Sequence, residues 1–458
     1  MTKMTKSFYK RQWNQDVLLL ADHLDIESLG TESGFYRKKP KKITATSLFI
    51  SLWLMQQLGK NTLRNWACQL GQHIGQSVSK QSINERLTQT SVELSKMALE
   101  KALNVKMDED ELSKESKQFK KELELFYRII IRDSTVQQLP SHLHEVFKGS
   151  YSHGTPTSMM RIQALFNFSE KRWEDFQIGA YTDNDQGAAD CIVDFLRPND
   201  LLLQDLGYFT LDWLEQLIDN QVFIITKWDN KTYLYDLEGN KIELLDLFQN
   251  QQQIDQAVLV GSKKKIPMRL VARKLPKTKA RKRIDSAKKN RHSHSNHSDQ
   301  YYELLKYEIY LTNVDQNLLK PKRIAQLYGL RWHIEILFKS WKSYANFKKM
   351  FNKERMNEHR VWFTIYAVLI QFVWLKGVVY NYVQNRVKQI KPLHHISILK
   401  FMDVINDLFR FILLIYSLDQ LDSLIPQFAT HATYEKRKKR KNTIEKYLYV
   451  NELCIVNS

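Results

Sequence analysis

Cysteine is scarce in this chain. The three present in 458 residues, Cys68, Cys191 and Cys454, are widely spaced and show no CxxC pair. That excludes a disulfide framework or a zinc ribbon and points to a reducing compartment, so a cytoplasmic protein is expected. A signal sequence is also missing: MTKMTKSFYKRQW has no apolar centre. The apolar run from Trp362 to Tyr380 is interrupted by Gln371 and Lys376, which makes it a buried helix and argues against a membrane partner. Acidic residues are in deficit, 50 against 69 Lys and Arg, for a formal net charge of +19. A polyanionic partner follows. The excess is uneven, because Lys263 to Arg291 holds 14 Lys or Arg against the single acid Asp285, a net +13 of the +19. Such a run is either a salt-sensitive, largely sequence-independent DNA contact or a solvated loop. HSHSNHS, from His292 to Ser298, has neither helical nor finger spacing and is given no metal role.

What is present divides into regions. Residues 1–118 read as helices, with Ser79 a candidate N-cap for one helix running on to Leu103. Ser79, Lys80, Gln81, Asn84 and Arg86 are of the types that reach base edges and phosphates. From 119 to 220 short apolar or β-branched strands follow one another: Leu125 to Asp133, Arg161 to Phe168, Trp173 to Tyr181, and Leu201 to Gln204, with Val222 to Trp228 just beyond. Three consecutive strands followed by alternating helix and strand predict an α/β fold with a ribonuclease H-like mixed sheet flanked by helices. Residues 221–313 alternate apolar and polar residues and should be an inserted, mostly β domain carrying a basic loop at 263–298. Residues 314–350 return to the core, and 351–458 are helical, with EKRKKRK near the end.

Two acids sit where strands should end: Asp133 after LFYRIIIR and Asp205 after LLLQ. A third lies in YGLRWHIEILFKSWK. At about 100° per residue Tyr328, Arg331, Glu335 and Lys342 fall within about 60° of one another on a single helix. Leu327, Leu330, Ile334, Leu337 and Trp341 form the adjacent apolar stripe that would anchor it. Asp133, Asp205 and Glu335 thus form an ordered set on strand, strand and helix. Hard carboxylate oxygens in that layout suit a two-metal phosphoryl-transfer site.

With Tyr328, Arg331, Glu335 and Lys342 in that spacing, Asp133-Ser134-Thr135 and Asp205-Leu206-Gly207-Tyr208, the chain resembles a DDE transposase of the insertion-sequence-four group, relatives of the transposon-five transposase. RLVARKLP (269–276) and YEIYLTN (307–313) extend the likeness over most of residues 40 to 380. The resemblance implies an enzyme that binds terminal inverted repeats through its N-terminal helices. It would cut and rejoin DNA with two Mg²⁺, for which Mn²⁺ can substitute, through a hairpin and as a homodimer on transposon ends and target. It implies that Asp133, Asp205 and Glu335 hold the metals and catalyse. Tyr328, Arg331 and Lys342 would contact DNA phosphates, with Trp332 either stacking on a distorted base or packed in the core, and Tyr307 or Tyr310 as a second stacking aromatic. The alternatives are a non-catalytic DNA-binding derivative and a ribonuclease H-like structure-specific nuclease.

Overall fold

The computed structural model describes residues 20, 24–38, 40–104, 124–289, 298–351, 356–391, 394–412 and 418–434. The run EKRKKRK, His292 to His297, Cys454 and the first residues of the chain lie outside these.

Among the described residues five named helices come first: α1 Ile26–Glu32, α2 Ala45–Gln57, α3 Leu63–Ile74, α4 Lys80–Asn84 and α5 Gln89–Leu103. Ser79 caps α4 as expected, its side chain accepting the Ser82 N–H. The single helix expected from there is broken, however. A second N-terminal signal, Thr88 with Ser91 three residues on, competes and starts α5, the Thr88 N–H donating to Ser91 Oγ at 3.1 Å.

Strands β1 Ile129–Leu139, β2 Lys148–Ser152, β3 Thr155–Asn167, β4 Arg172–Ala180 and β5 Leu201–Gln204 precede α6 Leu211–Asp219 and β6 Phe223–Lys227. Then come β7 Leu234–Tyr235, β8 Lys241–Ile242, α7 Leu244–Asn250, β9 Gln253–Val260, β10 Ile266–Lys274, α8 Lys277–Lys289, α9 Asp299–Leu304 and β11 Tyr307–Thr312. The β2–β3 hairpin turns through His153 and Gly154, both at positive φ, 48° and 78°. A two-residue turn of that hand matches the twist of its strands.

These strands build one 11-stranded sheet. β4 and β1 flank β3 antiparallel, β1 runs parallel to β5, and β5 parallel to β6. That is the ribonuclease H-like mixed order the strand pattern predicts. The segment after β6 does not build a sheet of its own: β11 pairs with β6, and β10, β9, β7 and β8 extend the same sheet. The basic run is also not one long loop, since its middle folds into α8.

The described residues finish with α10 Pro321–Gly329, α11 Trp332–Tyr344, and α12 Glu358–Trp374, which passes through a π turn into α13 Asn381–Ile390. α14 Ile398–Ile412 and α15 Ile425–His431 follow. The stretch Glu358–Ile390 is long and apolar enough to cross a membrane, but 72% of its apolar window is buried in the protein. It serves as a core helix. Trp53 Nε1 on α2 donates to the Ala367 carbonyl at 2.8 Å and Gln56 Nε2 to that of Ala345 at 3.0 Å, tying the N-terminal helices to the C-terminal ones.

Each face of the sheet has its own core. Ile129, Ile131, Leu201 and Leu203 pack with the N-terminal, α10–α11 and C-terminal helices. Ile130, Leu202 and Ile224 pack on the other side with α6 and the extension strands. Alternation along the strands makes the division, and it decides where the acids point.

Candidate active site

The register of two parallel strands brings the aspartates together. The β1–β5 ladder ends on Arg132 paired with Gln204, and Asp133 and Asp205 are the next residue of each chain. Counting by twos, Asp133 falls on the face of Ile129 and Ile131, and Asp205 on that of Leu201 and Leu203. Both acids therefore look toward the α10–α11 side. β1 does not stop at Asp133 as expected. It runs on to Leu139, because the 13-residue β3 continues to offer partners as far as Ser158. Asp133 is thus held mid-strand, while Asp205 caps a short turn, accepting the Gly207 N–H at 3.4 Å.

The third acid arrives on α11. Leu327, Leu330, Ile334, Leu337 and Trp341 are all buried, as the stripe predicts. Trp341 lies between sheet and helix, its ring stacked on Phe372 of α12 at 4.7 Å and 5.0 Å from Trp173 of β4. The single helix expected through Tyr328 and Lys342 is interrupted. Leu330 and Arg331 separate α10 from α11, and the N–H groups of Leu330, Arg331, His333 and Ile334 each bond three residues back. This tightened turn moves Tyr328 off the line of the other three, since 100° per residue no longer holds across it.

At that turn stands Arg331, and the three carboxylates gather on its guanidinium. Nη1 lies 2.7 Å from Asp133 Oδ2; Nη2 lies 2.5 Å from Glu335 Oε1 and 3.5 Å from Asp205 Oδ1. Because Glu335 and Asp205 share one nitrogen, their oxygens are no farther apart than those two contacts laid end to end. Burial pushes the Asp133 carboxyl up to about 7; Arg331 and the Ser134 N–H pull it down, and Asp205 and Glu335 raise it further. Three carboxylates against one guanidinium leave a surplus of negative charge in a half-buried place. That surplus and an all-oxygen donor set fit hard divalent cations. Among the described residues no three acidic, His or Cys side chains stand in metal-holding geometry, since the guanidinium lies between the carboxylates.

The expected DNA contacts separate. Tyr328 is buried, its ring 5.8 Å from the Arg331 Cζ and 5.2 Å from that of Tyr310. Its hydroxyl and the Arg331 Nε are buried without a hydrogen-bond partner of good geometry. Trp332 is 56% exposed at the start of α11, which rules out core packing for it. Lys342 Nζ donates to the Val136 carbonyl at 2.8 Å, tying α11 to β1 three residues past Asp133. Burial, with Lys348 nearby, lowers its pKa. The two tyrosines expected to offer a second stacking ring have ring partners within the protein. Tyr310 is packed against Tyr328, and Tyr307 is stacked on Phe248 at 3.6 Å.

One cation at the site was missed. Lys227 ends β6 with its ammonium 5.6 Å from the centre of the Tyr328 ring. Burial lowers its pKa, as do the Arg283 and Arg331 charges, while Asp205 and Glu308 oppose them. The available signal was a lysine closing the apolar run VFIIT, the mirror of the acid that closes LLLQ.

A family model described as a transposase DDE domain matches residues 124–370, more than half of the chain. Over 339 residues the chain is 28% identical to the transposase for insertion sequence element IS231F of Bacillus thuringiensis subsp. israelensis, aligning 69% of this chain and 70% of that one. It is 28% identical over 372 residues to the transposase of IS231E from B. thuringiensis subsp. finitimus, covering 75% of each. To the transposase of IS1151 from Clostridium perfringens it is 25% identical over 344 residues, covering 70% and 71%.

Proposed function

The chain belongs to the transposase DDE domain family, and from that premise we propose that it binds the terminal inverted repeats of an insertion sequence, cleaves there and joins the freed ends to new DNA. The observation that carries this reading is the convergence of Asp133, Asp205 and Glu335, distant in sequence, on one guanidinium. A non-catalytic DNA-binding derivative would have no use for so costly an arrangement of buried charge.

Asp133, Asp205 and Glu335 would together hold two Mg²⁺, or Mn²⁺. When bound, the metals activate the attacking oxygen and stabilise the leaving one. The side chains do the rest. Arg331 keeps the carboxylates gathered and would neutralise a phosphate beside them, with Tyr328, whose ring lies against its guanidinium, adding a phenolic hydrogen bond. Lys342, already anchored on Val136, adds positive charge along β1. Exposed Trp332 stacks on a base turned out of the duplex, as hairpin formation on the opposite strand requires. The N-terminal region to residue 118, with exposed Ser79, Lys80, Gln81 and Asn84 around α4, reads the repeats, and two copies hold the two ends.

The test is end cleavage on a duplex carrying the element's own terminal repeat. Asp133→Asn and Glu335→Gln should each lower cleavage by on the order of 10³-fold or more while binding of the repeat persists. Near wild-type cleavage in either variant would falsify the assignment. Strand transfer by the wild-type protein separates a transposase from a simple nuclease.

A further inference from the structure

α8 is a helix with two unlike sides. Ala280, Arg283, Ile284 and Ala287 recur at helical spacing and are buried or half-buried, whereas Lys277, Lys279, Arg281, Lys282, Lys288 and Lys289 are exposed. The inner side is fastened to the sheet. Arg283 Nη1 donates to the Tyr307 carbonyl at 3.0 Å, and its Nη2 lies 3.4 Å from Glu308, which also pairs with Arg273 at 2.6 Å. The outer cations are therefore carried in a fixed row on an anchored element.

That anchor leads to the carboxylates. On β11, Glu308 and Tyr310 alternate onto one face, and Tyr310 is paired across the ladder with Lys227 of β6. The Tyr310 ring packs on Tyr328, which has Lys227 and Arg331 over it. A succession of cations thus crosses the face of the sheet on which the acids lie: Arg273 and Arg283, then Lys227, then Arg331. The charges of Arg283 and Arg331 both reach Lys227. Glu308 is the acid that ties the outer pair down, leaving the row net positive.

We propose that α8 and this row form a track for a DNA backbone, with the duplex adjoining the scissile bond lying along the outer side of α8. Its cations grip phosphates and read no bases. The partner follows from the chemistry. The exposed side of α8 carries no apolar residue to enter a membrane, and the row ends at a centre suited to phosphodiesters. Phosphate contacts fix the register of a duplex without regard to sequence, which an enzyme needs on DNA flanking the sequence it recognises. This proposal rests on the carboxylates being the DNA-cleaving centre.

The experiment measures equilibrium binding of a repeat-bearing duplex with flanking DNA, by fluorescence anisotropy across a salt series, with the full-length Asp133→Asn protein. Adding Lys277→Gln, Lys279→Gln, Arg281→Gln and Lys282→Gln should reduce the slope of log affinity against log salt by about 3 to 4, near 0.9 for each lost contact. Affinity near physiological salt should fall by about 10-fold or more, and the preference for repeat over random sequence should stay. Lys277→Arg, Lys279→Arg and Lys282→Arg, which keep the charge, should bind as the parent does; this holds the test open if the glutamine variant folds poorly. An unchanged slope overturns the proposal, as does an equal fall per removed charge from Lys148→Gln and Lys231→Gln, exposed lysines outside both the repeat-reading region and the row, which would mark a mere net-charge effect. A wild-type protein that shows the slope but never cleaves would overturn the catalytic reading and leave the binding result standing.

Discussion

Charge is handled in opposite ways at the two ends of one sheet face. At the β1–β5 end three acids from remote parts of the chain meet with side-chain exposures of 15%, 41% and 32% around an arginine exposed by only 10%. At the β10–β11 end the cations of α8 are neighbours in sequence and mostly exposed. The first arrangement works against stability, since burial, with Asp205 and Glu335 beside it, leaves the Asp133 carboxyl raised to about 7 even against the pull of Arg331. The second costs little, because exposed lysines keep their hydration. Buried charge is tolerated where the chemistry needs it, and solvated charge suffices where only attraction is needed.

The largest test of that contrast is Arg331→Met. It leaves three half-buried carboxylates without their counter-charge, and the metal-free protein should lose about 3 kcal/mol at pH 8 in urea unfolding. Part of the loss should return at pH 5, where the cluster can take up a proton. Wild-type stability at pH 8 would erase the distinction between the two ends.

A smaller effect concerns pH in the wild-type protein. The folded Asp133 carboxyl titrates near 7 and an unfolded aspartate near about 3.9, so between those values the native state holds a proton that the unfolded chain has released. Stability must then decline as pH climbs through this window, by up to about 1.4 kcal/mol per pH unit, and level off above it. Asp133→Asn should flatten the profile in the presence of chelator. A wild-type curve that rises with pH from 4 to 7, with the same rise in the asparagine variant, would show that Asp133 is not the group responsible.

These two ends were not equally legible in the sequence. The acids were visible because each closes an apolar strand or sits on a striped helix, both local patterns. That they face the same way depends on period two and on the β1–β5 pairing, which a correct strand order already implies. The continuation of β1 to Leu139 was not visible, because it is granted by β3, a partner some 20 residues further on. The break at Leu330 and Arg331 was hidden for a different reason: both residues keep right-handed helical angles, so only the hydrogen-bond pattern changes. At α8, composition dominated the reading. Seven cations in 13 residues argued for a solvated loop, and the stripe of Ala280, Ile284 and Ala287 that lets it pack was outvoted. The ring contacts of Tyr307 and Tyr310 were not legible because they come from elements distant in sequence, Phe248 for one and Tyr328 for the other.

Trp332 gives the smallest effect on stability and the cleanest separation of position from burial. It stands one residue from Arg331, at the costly end of the sheet, yet it is exposed like the cations of α8. Trp341, on the same helix, is 2% exposed and stacked on Phe372. If burial governs cost, Trp332→Ala should change unfolding free energy by no more than about 0.5 kcal/mol, whereas Trp341→Ala should cost about 3–5 kcal/mol. Trp332→Ala should still slow cleavage of fully paired ends, by about 10-fold, with the deficit reduced on ends carrying an unpaired base beside the scissile bond. The relief is the telling part, because an unpaired base removes the unstacking that the indole would otherwise assist. A Trp332→Ala protein that melts like the Trp341 variant, or whose cleavage defect ignores the unpaired base, would put Trp332 back among residues that hold the fold.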